Sequence, residues 1–479
     1  MKQNYLLSDL ICLYEVIDNF RKEIYSEEYI NITKVLSISS LTFKIFKTNY
    51  LNKNKLPIIK GNHSISLRNA FYGGRVDVFK SIAKNIYIYD VTSLYPYVMV
   101  NYYYPTGSPT FSYDDNLNNY FGFCYVEVET PEYIHKPILP FKGSDDKIYY
   151  PIGKWTGMYF SEELKNAVNN YNYKVKILYG YKFEKSNNLF TEMINKYFEL
   201  KKYAILNNLP AKAAVSKLLM NSLFGRFGMK LNKDIVNIVE SSESRNIHLY
   251  HNVYDNFNLS DKYEYIKYSI DINELYSEIN GVEKYLNLLV LNDNNKQEFE
   301  TSLPIAMAVT AYARIYMSQF INSNDYTVYY TDTDSIAINK KLPDKYVGNE
   351  LGKFKLEYHA ESALFISPKL YYLRLFNGEE IIKARTLGGD QLTENDFIEL
   401  SYGLTITKLK SKFITNKENL NIFYENTPLK LSPWLLKRNH FLNDKGQFDT
   451  TTPLKVINNN IETIYPPKII TSLISYNNI

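Results

Sequence analysis

The stretch Tyr330-Thr331-Asp332-Thr333-Asp334-Ser335 sets two acids one residue apart, entered by the run Tyr326 to Tyr330 and left by Ile336-Ala337-Ile338. In an extended strand residues i and i+2 share a face, so the spacing predicts Asp332 and Asp334 pointing the same way at the tip of a hairpin. Converging carboxylates repel unless a cation lies between them, and Mg²⁺ is usually held by one or two carboxylates plus substrate phosphates. A solvated Asp-Thr-Asp turn has the same spelling, so the motif alone carries no function.

A second acid stands far upstream. Ile86-Tyr87-Ile88-Tyr89 reads as a buried strand that ends in Asp90-Val91-Thr92-Ser93-Leu94-Tyr95-Pro96. An aspartate at a strand terminus is readily presented to a metal, and Pro96 suits the start of a helix, which Asp90 could equally cap. A third element runs from Ala211 to Phe224, rich in helix formers, with Pro210 in front and Gly225 behind. Lys217, Asn221 and Phe224 fall at i, i+4 and i+7 and share one face. Such a stripe can grip a triphosphate, a backbone and a base, and an ordinary helix surface with a snorkelling lysine shows the same pattern.

Taken in order, Asp90 with Ser93-Leu94-Tyr95-Pro96, Lys217 with Asn221-Ser222 and Gly225, and Asp332-Thr333-Asp334-Ser335 resemble motifs A, B and C of family B DNA polymerases. Lys369-Leu370-Tyr371 resembles that family's Lys-x-Tyr motif, and Lys383-Ala384-Arg385 before Gly388 the basic segment after it. Tyr72-Gly73-Gly74 is similar to its Tyr-x-Gly-Gly loop. The long spacer between motifs A and B, with Pro137-Ile138-Leu139-Pro140 and Tyr150-Pro151-Ile152-Gly153-Lys154-Trp155-Thr156-Gly157, resembles the first terminal-protein-region insertion of the protein-primed branch.

The resemblance implies a mixed α/β (α+β) right-hand polymerase with an antiparallel palm, helical fingers and a C-terminal thumb. The expected divisions are an exonuclease remnant and linker at 1–70, palm with motif A at 71–130, first insertion at 131–185, fingers at 186–230, second insertion at 231–299, palm with motif C at 300–395 and thumb at 396–479. The implied activity is DNA-directed DNA synthesis, adding deoxynucleotides to a primer 3′ hydroxyl or to a priming protein's hydroxyl, in the service of a linear plasmid-like element. The rival reading is a catalytically inactive, DNA-binding remnant.

The resemblance also assigns roles. Asp90 and Asp334, with the Val91 carbonyl, are expected to hold two Mg²⁺ ions, with Mn²⁺ as a possible substitute, and Asp332 joins them as the third catalytic acid. Ser93, Leu94, Tyr95, Lys201, Lys217, Asn221 and Phe224 are expected to bind the nucleotide, although Lys202 could exchange with Lys201. Tyr95 is expected to lie against the sugar and select deoxynucleotides. Phe224 departs from the family's usual tyrosine and loses its hydroxyl's hydrogen bonds. Tyr72, Gly73, Gly74, Ser222, Gly225, Lys369, Tyr371 and Lys383 are expected on DNA. The implied partners are primer-template DNA, deoxynucleoside triphosphates and a terminal priming protein, with the chain acting as a monomer and away from membranes.

At the other end, Tyr5-Leu6-Leu7-Ser8-Asp9 ahead of the amphipathic stretch Leu10 to Phe20 resembles the third proofreading motif, Tyr-x-x-x-Asp before a helix. Only four residues precede Tyr5, leaving no room for the other two exonuclease motifs, so 3′–5′ exonuclease activity is expected to be absent.

Composition is consistent with a folded chain of several lobes, 45% apolar over 479 residues. Net charge is only +4, but residues 401–479 hold ten Lys or Arg against five Asp or Glu, which suits a lobe that contacts duplex phosphates or simply a solvated lysine-rich surface. Cys12 and Cys124 are the only cysteines, which excludes a disulfide framework and a cysteine-only zinc site. No apolar run reaches membrane-spanning length, and Asp9, Glu15 and Asp18 disfavour a transit peptide. The abundance of Tyr, Asn, Lys and Ile points to an AT-rich coding source, so a mitochondrial location through local synthesis is expected, with a cytoplasmic plasmid or virus as the alternative.

Overall fold

The computed structural model describes residues 2–51, 56–57, 67–68, 70–229, 235–269, 301–385, 391–415, 422–433 and 437–462. Seven strands form the central sheet: β1 (Val76–Val78), β2 (Ile82–Val91), β3 (Val328–Asp332), β4 (Ser335–Ile338), β5 (Phe354–Ser367), β6 (Leu370–Leu375) and β7 (Glu380–Ala384). They lie in the order β1-β3-β4-β2-β5-β6-β7, every neighbouring pair antiparallel. Strand β2 is covered on both faces, Ile86 and Ile88 joining one apolar cluster and Tyr89 and Val91 another. By the same alternation Asp90 leaves the sheet on the side of Ile86 and Ile88, at the rim of their cluster.

Nine helices are used below: α1 (Lys2–Glu28), α2 (Ile38–Ile45), α3 (Leu94–Asn101), α4 (Ser161–Tyr171), α5 (Thr191–Leu206), α6 (Pro210–Phe227), α7 (Ser241–Tyr250), α8 (Leu303–Ile321) and α9 (Glu394–Ser401). Helix α8 is buried along most of its length and packs on α3, α4 and α6, as an apolar helix without a polar face must. Helices α5 and α6 form a hairpin, joined through Asn208 in the left-handed region at φ 53°. Helix α6 does not stop at Gly225 as the sequence predicted. It continues to Phe227, whose ring fits among Phe43, Phe46 and Phe190 at centroid distances of 5.4, 5.9 and 5.8 Å, so apolar burial outweighs the glycine. The buried Glu28 carboxylate at the end of α1 ties that helix to the hairpin, accepting hydrogen bonds from Tyr50, Lys196 and Tyr197.

Two expected boundaries are redrawn by strand pairing. Strands Tyr104–Ser112 and Gly122–Glu129, expected within the palm, share one sheet with Ile152–Phe160 and Lys174–Ser186, expected within the first insertion. The described strands of the C-terminal region fall in three sheets. The hairpin Ile406–Thr415/Ile422–Leu431 is largely exposed, whereas Lys455–Ile457 returns to pair in parallel with Ile152–Phe160. Gly153 permits that return, since a Cβ there would lie 2.4 Å from the Val456 carbonyl oxygen. Of the expected second insertion, three strands and α7 are described and form a small antiparallel sheet, while 231–234 and 270–299 lie outside the described residues.

Tyr5-Leu6-Leu7-Ser8-Asp9 lies inside α1 and not before a helix, in a run that no proline or glycine interrupts and in which Ser8 and Asp9 are helical and do not cap. Asp9 is exposed, and so are Leu10, Ile11, Leu13, Tyr14, Val16 and Ile17 around it. Among the described residues no helix is long and apolar enough to cross a membrane.

Candidate active site

Strand β4 pairs with β3 on one side and β2 on the other, and this register brings the distant acids together. Asp332 stands opposite Ser335, and Ser335 opposite Asp90. The spacing predicted Asp332 and Asp334 as i, i+2 neighbours on one strand, and here the structure differs. Thr333 and Asp334 form the two-residue turn of the hairpin, with Thr333 at φ 60° and the Asp334 N–H donating to the Asp332 carbonyl at 2.7 Å. The Asp334 carbonyl in turn accepts from the Val91 N–H at 2.9 Å, which locks the turn beside the end of β2.

The acids therefore divide. Asp332 is engaged by Lys369, whose ammonium donates to both carboxylate oxygens at 2.8 and 2.9 Å, and Tyr330 and Thr333 hydroxyls add further bonds. Among the described residues Asp90 and Asp334 have no such ion pair. Burial, then the charge of Asp334 and that of Glu357, pushes the Asp90 carboxyl up to about 7, with Lys217 opposing. Burial, with the charges of Asp332 and Glu357, pushes Asp334 up to about 6. Two carboxylates whose proton affinity is raised by burial and by neighbouring negative charge are a site in want of positive charge.

Asp90 does not cap α3. The capping position is Ser93, at φ 54° and with no side-chain cap, and its carbonyl accepts from Tyr97. Leu94 is fully buried, so only its backbone is available to a ligand. Tyr95, next on α3, lays its ring on Phe224 of α6 with centroids 4.1 Å apart, joining the first motif to the second. On α6, Lys217 and Gly225 are exposed and Asn221 is half-buried, while the Ser222 hydroxyl donates back to Leu218. Lys201 of α5 feels the charges of Lys217 and Lys355, burial and these cations lowering its proton affinity, whereas Lys202 pairs with Glu199 at 2.6 Å. Of the two adjacent lysines, Lys201 is the one that feels Lys217 and Lys355.

On the other flank, the Lys369 N–H donates to the Tyr330 hydroxyl, Tyr371 packs its ring on Tyr330 and Phe365, and Lys383 stands opposite Tyr371 on β7. Gly388 lies outside the described residues. Tyr72 departs from expectation: its ring is buried and stacked on Tyr159, so it is core and not a surface for DNA. Gly73 is open, but a Cβ on Gly74 would collide with Thr333.

Two site residues escaped the sequence reading. Lys355 pairs with Asp90 across β5 and β2, and Glu357 sits at the irregularity between Leu356 and Tyr358 in the same ladder. Neither carries a local signal, because they join the site only through the pairing of β5 with β2.

Among the described residues no three His, Cys, Asp or Glu side chains gather into a ready-made metal cage. A pair of carboxylates completed by substrate phosphates is nevertheless the usual Mg²⁺ arrangement, so the donor set fits that ion and excludes a soft-metal site.

The family described as DNA polymerase type B, organellar and viral, matches residues 1–326. A probable DNA polymerase of Podospora anserina is 33% identical over 94% of the chain, and one of Ascobolus immersus is 32% identical over 96%. The chain spans 39% and 37% of those relatives' own lengths. Among solved structures, Phi29 DNA polymerase complexed with primer-template DNA and incoming nucleotide substrates superposes with a TM-score of 0.58 at 18% identity, covering 82% of this chain and 67% of that one. That likeness supports the expected mixed α/β fold over the part of the chain it covers. The chain belongs to the organellar and viral group of type B DNA polymerases.

Proposed function

We propose that this chain carries out DNA-directed DNA synthesis, adding deoxynucleotides to a primer 3′ hydroxyl or to the hydroxyl of a terminal priming protein. The observation that carries this reading is the convergence of Asp90 and Asp334, both raised in proton affinity, beside Lys217 and the Tyr95–Phe224 ring pair. Asp90, Asp334 and the Val91 carbonyl are the residues to hold two Mg²⁺ ions, which when bound lower the nucleophile's pKa and stabilise the leaving oxygens.

The protein's own groups do the rest. Lys217 and Lys201 neutralise the triphosphate, with Lys355 adding charge near Asp90. The Tyr95 ring, held on Phe224, stands where a sugar lies against α3 and leaves no space for a 2′ hydroxyl. Asn221, Ser93 and the Leu94 backbone orient the nucleotide. Lys369, Tyr371 and Lys383 hold the primer terminus, and such phosphate contacts position a strand without reading its sequence. Gly73, Ser222 and Gly225 leave room for the template strand. On this reading Lys369 exchanges its partner, from Asp332 to primer, when DNA arrives.

Within this proposal the central sheet is the palm, α5 and α6 the fingers, and α9 with the strand pair Ile406–Thr415/Ile422–Leu431 the thumb. The sheet around Ile152–Phe160 is the surface offered to the priming protein. The element served is a linear plasmid-like replicon.

Extension of a 5′-labelled primer on a template, with Mg²⁺ and dNTPs, tests the reading beside Asp334→Asn and a blocked-end degradation control. Extension that vanishes in the variant supports it. DNA binding without extension favours the inactive remnant. Transfer of labelled nucleotide to a candidate terminal protein tests the priming step separately.

A further inference from the structure

Thr333 holds the turn between Asp332 and Asp334 in a conformation that a β-branched residue enters only at a cost. Something must hold it there, and the structure shows what does. The Thr333 N–H donates to the Arg75 carbonyl at 2.7 Å, and Gly74 lies flush against the threonine side chain. A Cβ on Gly74 would stand 2.6 Å from Thr333 Cγ2 and 2.8 Å from its Oγ1. A threonine locked in this turn has no rotamer that gives way easily.

The loop carrying Gly74 is held from behind. Arg314 of α8 donates through Nη1 to the Tyr72 and Gly73 carbonyls at 2.7 and 3.0 Å. Its Nε and Nη2 meet the two Glu163 oxygens at 2.6 and 2.8 Å, a two-pronged pair in which both residues are buried. Glu163 lies on α4, in the region expected to be the first insertion. No motif includes Glu163 or Arg314, yet a continuous chain of bonds runs from α4 through α8 and the Tyr72-Gly73-Gly74-Arg75 backbone to the Thr333 N–H, one residue before Asp334.

We infer that Glu163, Arg314 and Gly74 are positioning residues for the Asp334 turn, and so for the metal-holding geometry of Asp90 and Asp334. This rests on the proposed polymerase function, and it gives Gly74 a task different from close approach to template phosphates. Residues that orient ligands in this way typically change metal affinity or activity by about 10–100-fold when altered.

The test is a cycle of Gly74→Ala, Thr333→Gly and the double variant, with Arg314→Lys beside it. Each protein is checked by thermal unfolding, and Mn²⁺ binding is titrated by electron paramagnetic resonance, a readout that does not need turnover. Gly74→Ala and Arg314→Lys should weaken Mn²⁺ binding by about 10-fold and lower kcat comparably, with KM for dNTP and affinity for primer-template within about two-fold of the parent. Measured in the Thr333→Gly background, the effect of Gly74→Ala should fall below about two-fold, because the colliding side chain is gone. If Gly74→Ala fails to fold, recovery of folding and Mn²⁺ binding in the double variant supports the contact. Unchanged Mn²⁺ affinity in folded Gly74→Ala and Arg314→Lys overturns the inference, as does a Gly74→Ala defect confined to DNA affinity and untouched by Thr333→Gly. A parent chain that binds Mn²⁺ but never extends a primer would remove the polymerase reading and leave the binding cycle to decide the positioning role.

Discussion

Replacing Asp334 by asparagine should abolish synthesis and at the same time stabilise the metal-free protein. Asparagine keeps the size of the side chain and removes a charge that burial, Asp332 and Glu357 resist. The Asp334 carboxyl titrates near 6 in the fold, against an ordinary 3.8. Two units correspond to about 3 kcal/mol of native-state penalty for the ionised form at about 1.4 kcal/mol per unit. Screening by the water that still reaches this open rim reduces the figure to about 1–2 kcal/mol.

The sign follows from linkage. A carboxyl with a raised folded-state pKa contributes stability that is complete below pH 4 and lost as pH rises through 6. Asp334→Asn should therefore melt a few degrees above the parent at pH 8 in EDTA, on the scale of about 2–4 °C per kcal/mol for large domains. That difference should shrink as pH falls through 6 and reach zero only below pH 4. Adding Mg²⁺ at pH 8 should raise the parent's midpoint and leave the variant's nearly unmoved. Differential scanning calorimetry at both pH values, with and without metal, reads all three comparisons. A variant less stable than its parent at pH 8, or a difference independent of pH, would refute the electrostatic reasoning about the site.

Further predictions concern other parts of the molecule. Mn²⁺ affinity should fall steeply as pH drops from 8 to 6, since burial and Asp334 raise the Asp90 carboxyl to about 7 and protons then compete with the ion; a flat titration from pH 6 to 8 would contradict that order. Tyr95→Val should raise ribonucleotide insertion relative to deoxynucleotide by up to about 100-fold, read as the ratio of kcat/KM values, because the ring packed on Phe224 is removed. Glu163→Ala leaves Arg314 charged and buried without its partner, and urea unfolding should register a loss of about 3–5 kcal/mol. Lys369→Ala should weaken primer-template binding and reduce the slope of log affinity against log salt by about 1, whereas an unchanged slope would place Lys369 off the phosphates.

The four segments that carry the chemistry announced themselves locally. Strand β2 was legible from Ile86 to Tyr89 because a run of β-branched and aromatic residues has one economical conformation, and α6 was legible from its helix formers behind Pro210. The acids and Lys217 stood out by residue type at short spacing, whereas Tyr95 and Lys369 could be named only through the resemblance to family B polymerases. What spacing could not decide was direction. Asp332 and Asp334 look equivalent in the sequence, and only the turn at Thr333, gripped by the Arg75 carbonyl and the bare backbone of Gly74, sends one to Lys369 and the other to Asp90. Helix α6 overran Gly225 because Phe227 found an aromatic pocket built from Phe43 of α2, Phe46 just after it and Phe190, the residue before α5. Glu357, Lys355, Glu163 and Arg314 were invisible, as was the return of Lys455–Ile457 to the sheet at Ile152. Each depends on a partner dozens to hundreds of residues away, and no local preference encodes a contact whose free energy comes from pairing and burial across the fold.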